Sequence, residues 1–511
     1  MDVISSRSSA QERRIVIVGA GFAGLGTAVR LKQAGINDFL ILEKAAEVGG
    51  TWEANTYPGC QCDVPSHLYS FSFAPNPSWT RTFSTQPEIW AYLQRVADEH
   101  GLYEHIELGV TVERAEWDEQ RQLWRLQTSA GSFTAQILIS GMGGLSEPSI
   151  PDIEGLDSFE GSAFHSARWE HSVALADRKV AVIGTGASAI QIVPKIQPEV
   201  AQLHLFQRTP PWVMPHSDRP LSDLEHRLYR RFPITQRLMR EGIYWGRELY
   251  VLPFMHQALA RPGEQIALRH LRSQVSDPSL QEKLTPTYRM GCKRILLSND
   301  FYPAVQQPNV TLQTAAIERV QANSVKTCDG AEHEVEVIVL CTGFHVTDMP
   351  FANWVFGRQG RSLADVWEGS PHAHLGITVN GFPNLFMLLG PHTGLGHTSV
   401  VFMIECQIEY LVRCLQTMAG SGLRSIEPKR AAEARFVAEM ESRLQGTVWT
   451  SGGCNSWYLD SRGRASSLWP GPTWRYRRRL RRFEPSEYIM RPQTLAGRPE
   501  PATTQPLPSI A

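Results

Sequence analysis

Long hydrophobic runs are missing from this sequence. Nowhere do about 18 or more uncharged apolar residues follow one another, so no membrane span is expected. The opening stretch MDVISSRSSAQERR lacks an apolar signal core, which argues against secretion. Net charge is missing too: 50 basic residues stand against 51 acidic ones, and a balance of −1 provides no global field to hold nucleic acid. Cysteine is sparse, with eight in 511 residues, no repeated spacing and no C-x-x-C pair. Cys60 and Cys62, separated by one residue, fit neither a zinc site nor a redox dithiol. The expectation is therefore no metal, reduced thiols and a cytoplasmic protein.

What is present fits a folded globular chain, 42% apolar and 20% charged. At about 100–200 residues per domain, its length allows two to four domains. Residues 14–24 read RIVIVGAGFAG, a β-branched run entering glycines, and AGLGTAVRLKQAG continues at helical spacing before a second strand, DFLILEK. This is a βαβ opening. A second copy starts at Lys179 with KVAVIGTGASAIQIV and ends in LHLFQRT. The fold class expected is α/β, with two Rossmann-like dinucleotide-binding domains.

In the first unit Gly19, Gly21 and Gly24 form G-x-G-x-x-G, which permits a tight turn and brings a pyrophosphate onto the N-terminus of the following helix. Glu43 follows 24 residues after Gly19, where a carboxylate accepts hydrogen bonds from ribose hydroxyls. In the second unit the run Gly184, Thr185, Gly186, Ala187, Ser188, Ala189 gives G-x-G-x-x-A, and the position 24 residues after Gly184 is Arg208, followed by Thr209. A guanidinium there binds a 2′-phosphate that a carboxylate would repel. One acidic and one basic partner imply two different dinucleotides, most economically FAD and NADPH. The missing dithiol speaks against a disulfide reductase.

The boundaries expected are a first FAD-binding part over 1–149, a first NADP-binding part over 150–219, a helical insert over 220–275, a second NADP-binding part over 276–335, a second FAD-binding part over 336–491 and a loose tail over 492–511. The strand VEVIVLCTGF, ending at Gly343, is read as the point where the first domain closes with later sequence. The stretch LYRRFPITQRLMREGIYWGRELYVLPFM mixes basic and aromatic residues at helical spacing. It is a weak membrane hint, and the preferred reading is an amphipathic insert burying its apolar face over a hydrophobic site.

Between the two units, Phe159, Gly161, His165 and Trp169 match F-x-G-x-x-x-H-x-x-x-W. On spacing alone, His165 and Trp169 could be one packed helix face. The whole pattern resembles the fingerprint of type I Baeyer–Villiger monooxygenases, with Glu170 where the family usually has Pro or Asp. Further segments carry the same resemblance: GGTW from Gly49, YPG-x-x-x-D from Tyr57 to Asp63, GCKR from Gly291, CTGF from Cys341, GPHTGLGHTSV from Gly390 and CNSWY from Cys454.

The resemblance implies an enzyme that uses NADPH and dioxygen to turn a ketone into an ester or lactone through a flavin peroxide, with N- or S-oxidation as the alternative. It implies flavin contacts at Thr51, Trp52, Asp63, Tyr69, Val112 and Val400. Arg294 is implied as the active-site arginine partnered by Asp63, Lys293 as a companion of Arg208 and Thr209, and Trp457 as an aromatic contact of the nicotinamide cofactor. His165 is implied to organise domain motion from an interdomain linker.

Overall fold

The computed structural model describes residues 10–492. The expected tail from 492 onward lies outside them, except Pro492, which ends the strand Tyr488–Pro492. The first βαβ unit forms as its pattern dictates. Strand Gln11–Val18 is exposed at its charged start and buried along IVIV, and helix Phe22–Gln33 begins directly after the glycine turn. Strands Gly131–Ser140, Gln11–Val18, Phe39–Glu43 and Ile106–Leu108 run parallel side by side. Strands Val112–Asp118 and Leu123–Thr128 extend the sheet antiparallel. Two later pieces return to it: Leu385–Met387 pairs with Gly131–Ser140, and Val355–Phe356 pairs with Val112–Asp118.

The second sheet is five-stranded and parallel, in the order Val310–Gln313, Gln202–Phe206, Lys179–Ile183, Val337–Leu340, Ser162–His165. Two expectations are corrected here. Val337–Leu340 is an inner strand of this second sheet, so a boundary after 335 cuts into it; all four of its side chains are buried, and an apolar strand of this kind fits either sheet by pattern. The fingerprint is neither linker nor helix. Ser162–His165 is the edge strand of the second sheet, and a 3-10 turn over Ser166–Arg168 carries the chain to Trp169.

The insert is helical, with Asp223–Arg231, Pro233–Glu248, Val251–Met255 and Arg261–Gln274 in succession. Its longest helix contradicts the expected burial of an apolar face. Gln236, Tyr244 and Glu248 point inward and are buried, whereas Ile234, Leu238, Trp245 and Leu249 are exposed. The inward face is polar because it has polar work to do. Arg240 donates to the carbonyls of His67 and Ser70, Arg247 donates to the carbonyl of Asp63, and Glu248 accepts from Thr473. Among the described residues no helix is long and apolar enough to cross a membrane.

Candidate active site

Both glycine turns open onto one cleft of about 2040 Å³. At the first, the Glu43 carboxylate is buried and accepts from the backbone amides of Ala20 (2.6 Å) and Ala45 (2.9 Å), which pins the end of the second strand to the turn. Gly24 lies behind the cleft wall as a packing position: a Cβ there would sit 1.9 Å from the Gly19 carbonyl oxygen. Thr51 and Trp52 begin the short helix Thr51–Ala54, and the Trp52 indole donates to the Tyr69 hydroxyl at 3.1 Å. With Val112 and Val400, these residues line the cleft.

At the second turn Gly184, Thr185, Gly186, Ala187 and Ser188 line the same cleft, with Ala189 behind them. The Thr185 hydroxyl donates to the Thr209 carbonyl at 3.2 Å. Arg208 and Lys293 both face the opening. Burial and then the neighbouring Arg208 charge push the Lys293 ammonium below its ordinary value. Among the described residues neither cation has a carboxylate within salt-bridge distance. Two adjacent cations beside a helix N-terminus form a site for an anion.

Between the turns stands an ion pair. Arg294 donates from Nε to Asp63 Oδ2 at 2.8 Å, from Nη2 to Asp63 Oδ1 at 2.6 Å and from Nη1 to the Leu395 carbonyl at 3.1 Å. A guanidinium has five N–H donors, so two remain for the cleft. Burial would raise the Asp63 carboxyl, but the Arg294 charge and hydrogen bonds outweigh it and hold the group below the usual carboxylate range. For Arg294, burial works against the cation and Asp63 more than restores it. At 26% and 30% exposure, the two side chains are open to the cleft and otherwise enclosed.

The expectation of reduced thiols is overturned at one pair: Cys292 and Cys454 are joined by a disulfide. They lie 162 residues apart, so no local spacing marks them. Tertiary packing sets GCKR under the 452–458 loop, where a Cβ at Gly452 would meet Cys292 Cβ at 2.8 Å. The other six cysteines are free. The bond ties the Lys293–Arg294 segment to the loop holding Trp457, which is 45% exposed on the cleft wall and lies 4.3 Å from the Tyr458 ring.

Of Phe159, Gly161, His165 and Trp169, only Trp169 lines the cleft, beside Ala167 and Arg168. His165 is buried with its ring against Phe344 of CTGF, and its Nδ1 accepts from the Ala167 amide at 3.1 Å. Burial lowers its pKa to about 4, with the Gly343 backbone offsetting part of that shift. Gly161 is required sterically, since a Cβ would meet the Glu336 carbonyl and the Phe159 ring.

Arg247 and Gln191 carry no functional signal in the sequence. Arg247 reaches Asp63 from the insert, and Gln191 of the second-unit helix accepts from Tyr57 and donates to the Gln61 carbonyl. Gly59 faces the carbonyl of the same Gln191, where a Cβ would come within 2.6 Å. Burial, only partly offset by Arg294, raises the pKa of the Tyr458 phenol. Its hydroxyl lies beside Arg294, and the Thr398 hydroxyl is buried on the cleft wall with no partner among the described residues.

Residues 16–233 match the pyridine nucleotide-disulphide oxidoreductase family. The chain is similar to the OTEMO complex with FAD and NADP, at TM-score 0.84 and 28% identity over 94% of this chain and 99% of that one. It is also similar to the closed crystal structure of cyclohexanone monooxygenase, at TM-score 0.86 and 28% identity over 95% and 100%. A Baeyer–Villiger monooxygenase of Streptomyces coelicolor is 50% identical over 483 residues, covering 94% of this chain and 93% of that relative. With half its residues shared along nearly the whole length of both chains, this chain belongs to the Baeyer–Villiger monooxygenase family.

Proposed function

We propose that this chain is an FAD-containing, NADPH-dependent monooxygenase that converts a ketone into an ester or lactone. The observation that carries the reading is the bidentate Asp63–Arg294 pair on the wall of a cleft shared by both glycine turns. FAD, when bound, supplies the redox chemistry that passes the NADPH electron pair to dioxygen. One oxygen atom enters between the carbonyl carbon and its neighbour, and the other leaves as water.

Gly19, Gly21 and the helix N-terminus at Phe22 would hold the FAD pyrophosphate, and Glu43 its ribose. Gly184 to Ser188 would hold the NADPH pyrophosphate, with Arg208, Thr209 and Lys293 on the 2′-phosphate. Arg294 would offer its charge to a carbonyl oxygen gaining negative charge, and Asp63 fixes the guanidinium so that it is oriented beforehand. Trp457 offers an aromatic face to the nicotinamide. His165, on the strand beside CTGF, couples the fingerprint to the cleft rim and acts by positioning. We place the enzyme in the cytoplasm; the disulfide is the one feature that speaks against this reading.

The test is substrate-dependent NADPH oxidation across linear, cyclic and aromatic ketones, with mass spectrometry of products and a parallel hydrogen peroxide assay. Esters or lactones support the proposal. Sulfoxides, N-oxides or hydroxylamines as the only oxygenated products would transfer the site to heteroatom oxidation.

A further inference from the structure

Exposed apolar surface is concentrated in one place. Twelve of the nineteen large apolar side chains exposed among the described residues lie between Leu224 and Ile266, in the helical insert. On helix Pro233–Glu248 and its continuation they form a stripe: Ile234, Leu238, Trp245 and Leu249 recur at helical spacing and are 57%, 64%, 54% and 66% exposed. The opposite face of the same helix carries Arg240, Tyr244, Arg247 and Glu248 into the protein. The helix is amphipathic with the apolar side outward, the reverse of a helix selected to face water.

The charges beside the stripe are mostly basic, with Asp223 and Glu241 the exposed acids of helices Asp223–Arg231 and Pro233–Glu248. Arg227, Arg230, Arg231 and Arg237 are exposed, and among the described residues none has a carboxylate within salt-bridge distance. Helix Thr473–Leu480 meets the inward side of helix Pro233–Glu248 through the Tyr244–Thr473 hydrogen bond at 3.1 Å. It adds exposed Trp474 and the likewise unpaired Arg475, Arg477 and Arg478. A self-complementary contact between two copies would set arginine against arginine, with Asp223 and Glu241 too few to answer them. Apolar side chains edged by tryptophan and unpaired arginine match the headgroup layer of an anionic bilayer, where rings and methylenes reach the acyl boundary and guanidinium groups meet phosphate.

We propose that the helical insert docks this chain on an anionic lipid surface, with Ile234, Leu238, Trp245 and Leu249 in the interface and Arg230, Arg231 and Arg237 on lipid phosphates. The attachment is peripheral and leaves the cleft chemistry as described.

The test is vesicle flotation of the full-length, FAD-loaded enzyme. Vesicles of equimolar phosphatidylcholine and phosphatidylglycerol are compared with phosphatidylcholine alone, at low and high salt. The wild type is expected to float with the anionic vesicles and to be released by salt. Arg230→Glu with Arg231→Glu is expected to lower partitioning by roughly tenfold or more and to remove the preference for phosphatidylglycerol. Leu238→Ser with Leu249→Ser is expected to cost roughly as much, with flavin content and ketone-dependent NADPH oxidation unchanged. A wild type that stays with neither vesicle, or variants that float as it does, would overturn the proposal. A concentration-dependent dimer dissolved by Leu238→Ser and Leu249→Ser would overturn it in favour of a second copy of this chain. Loss of ketone oxidation in the wild type would strike the functional reading and leave the docking result intact.

Discussion

The two glycine turns share a pattern and differ in how they are enclosed. In the first, Ala20, Phe22, Ala23 and Gly24 are buried, and Glu43 is tied to the turn by two backbone amides. In the second, Gly186 and Ala187 are exposed, and Arg208 and Lys293 face the opening without carboxylate partners among the described residues. The first turn is closed in by its neighbours and the second is open to solvent. The difference lies in packing around equivalent backbones.

The sharpest test of that contrast is a pair of substitutions. Gly24→Ala would drive a Cβ to 1.9 Å from the Gly19 carbonyl oxygen, so the strand and helix must separate; the protein is expected to purify without flavin or not to fold. At Gly186 nothing lies within 4 Å of a Cβ, so Gly186→Ala is expected to keep its flavin and to shift stability by no more than about 0.5 kcal/mol. Flavin-to-protein absorbance ratios and thermal unfolding decide it. Equal outcomes at the two sites would break the comparison.

Next in size is Arg294→Ala, which tests whether the pair between the turns belongs to the chemistry or only to the walls. Losing one preorganised donor to developing charge typically costs about 10²–10³ in rate, and ester formation is expected to fall by that much with FAD retained. Asp63→Ala frees the same guanidinium and is expected to cost less. Near wild-type ester formation by flavin-loaded Arg294→Ala would remove the central residue from the mechanism.

At the open second turn, Arg208→Ala is expected to raise the KM for NADPH roughly 10-fold or more, given about 1.5–3 kcal/mol for a charged hydrogen bond, with little change for NADH. Steady-state kinetics with both nucleotides checks this; equal losses would deny the 2′-phosphate contact.

The smallest effect concerns His165, which joins the second sheet to the cleft rim. Its pKa is lowered from 6.5 to about 4, so the folded state prefers the neutral ring. That contribution to stability is complete above pH 6.5 and is lost as pH falls through the window toward 4. His165→Gln is expected to flatten this part of the stability curve while keeping near-normal flavin content. Thermal unfolding of both proteins between those limits is the measurement, and parallel curves would show that the ring does not titrate as its burial implies.

Much of the candidate site could be read from short segments. Gly19, Gly21 and Glu43 lie within 24 residues of one another, and so do Gly184, Gly186 and Arg208, because a βαβ unit closes locally and its turn chemistry is spelled out in order. The opposite signs of Glu43 and Arg208 needed no structure to be seen. Asp63 and Arg294 came from a resemblance between segments far apart in sequence, and spacing could not have paired them.

Strand, turn and helix follow from residues close in sequence, through backbone sterics and apolar periodicity, and these determined the two dinucleotide units and the sign of charge in each. Which sheet receives a given strand depends on contacts made across the chain. Val337–Leu340 has a pattern that fits either sheet, and only folding placed it beside Lys179–Ile183. Cys292 meets Cys454 for the same reason, and Arg247 reaches Asp63. The orientation of helix Pro233–Glu248 is the clearest case: periodicity shows two faces, but the polar groups already waiting at Asp63, His67, Ser70 and Thr473 drew the charged face inward and left the apolar one outside.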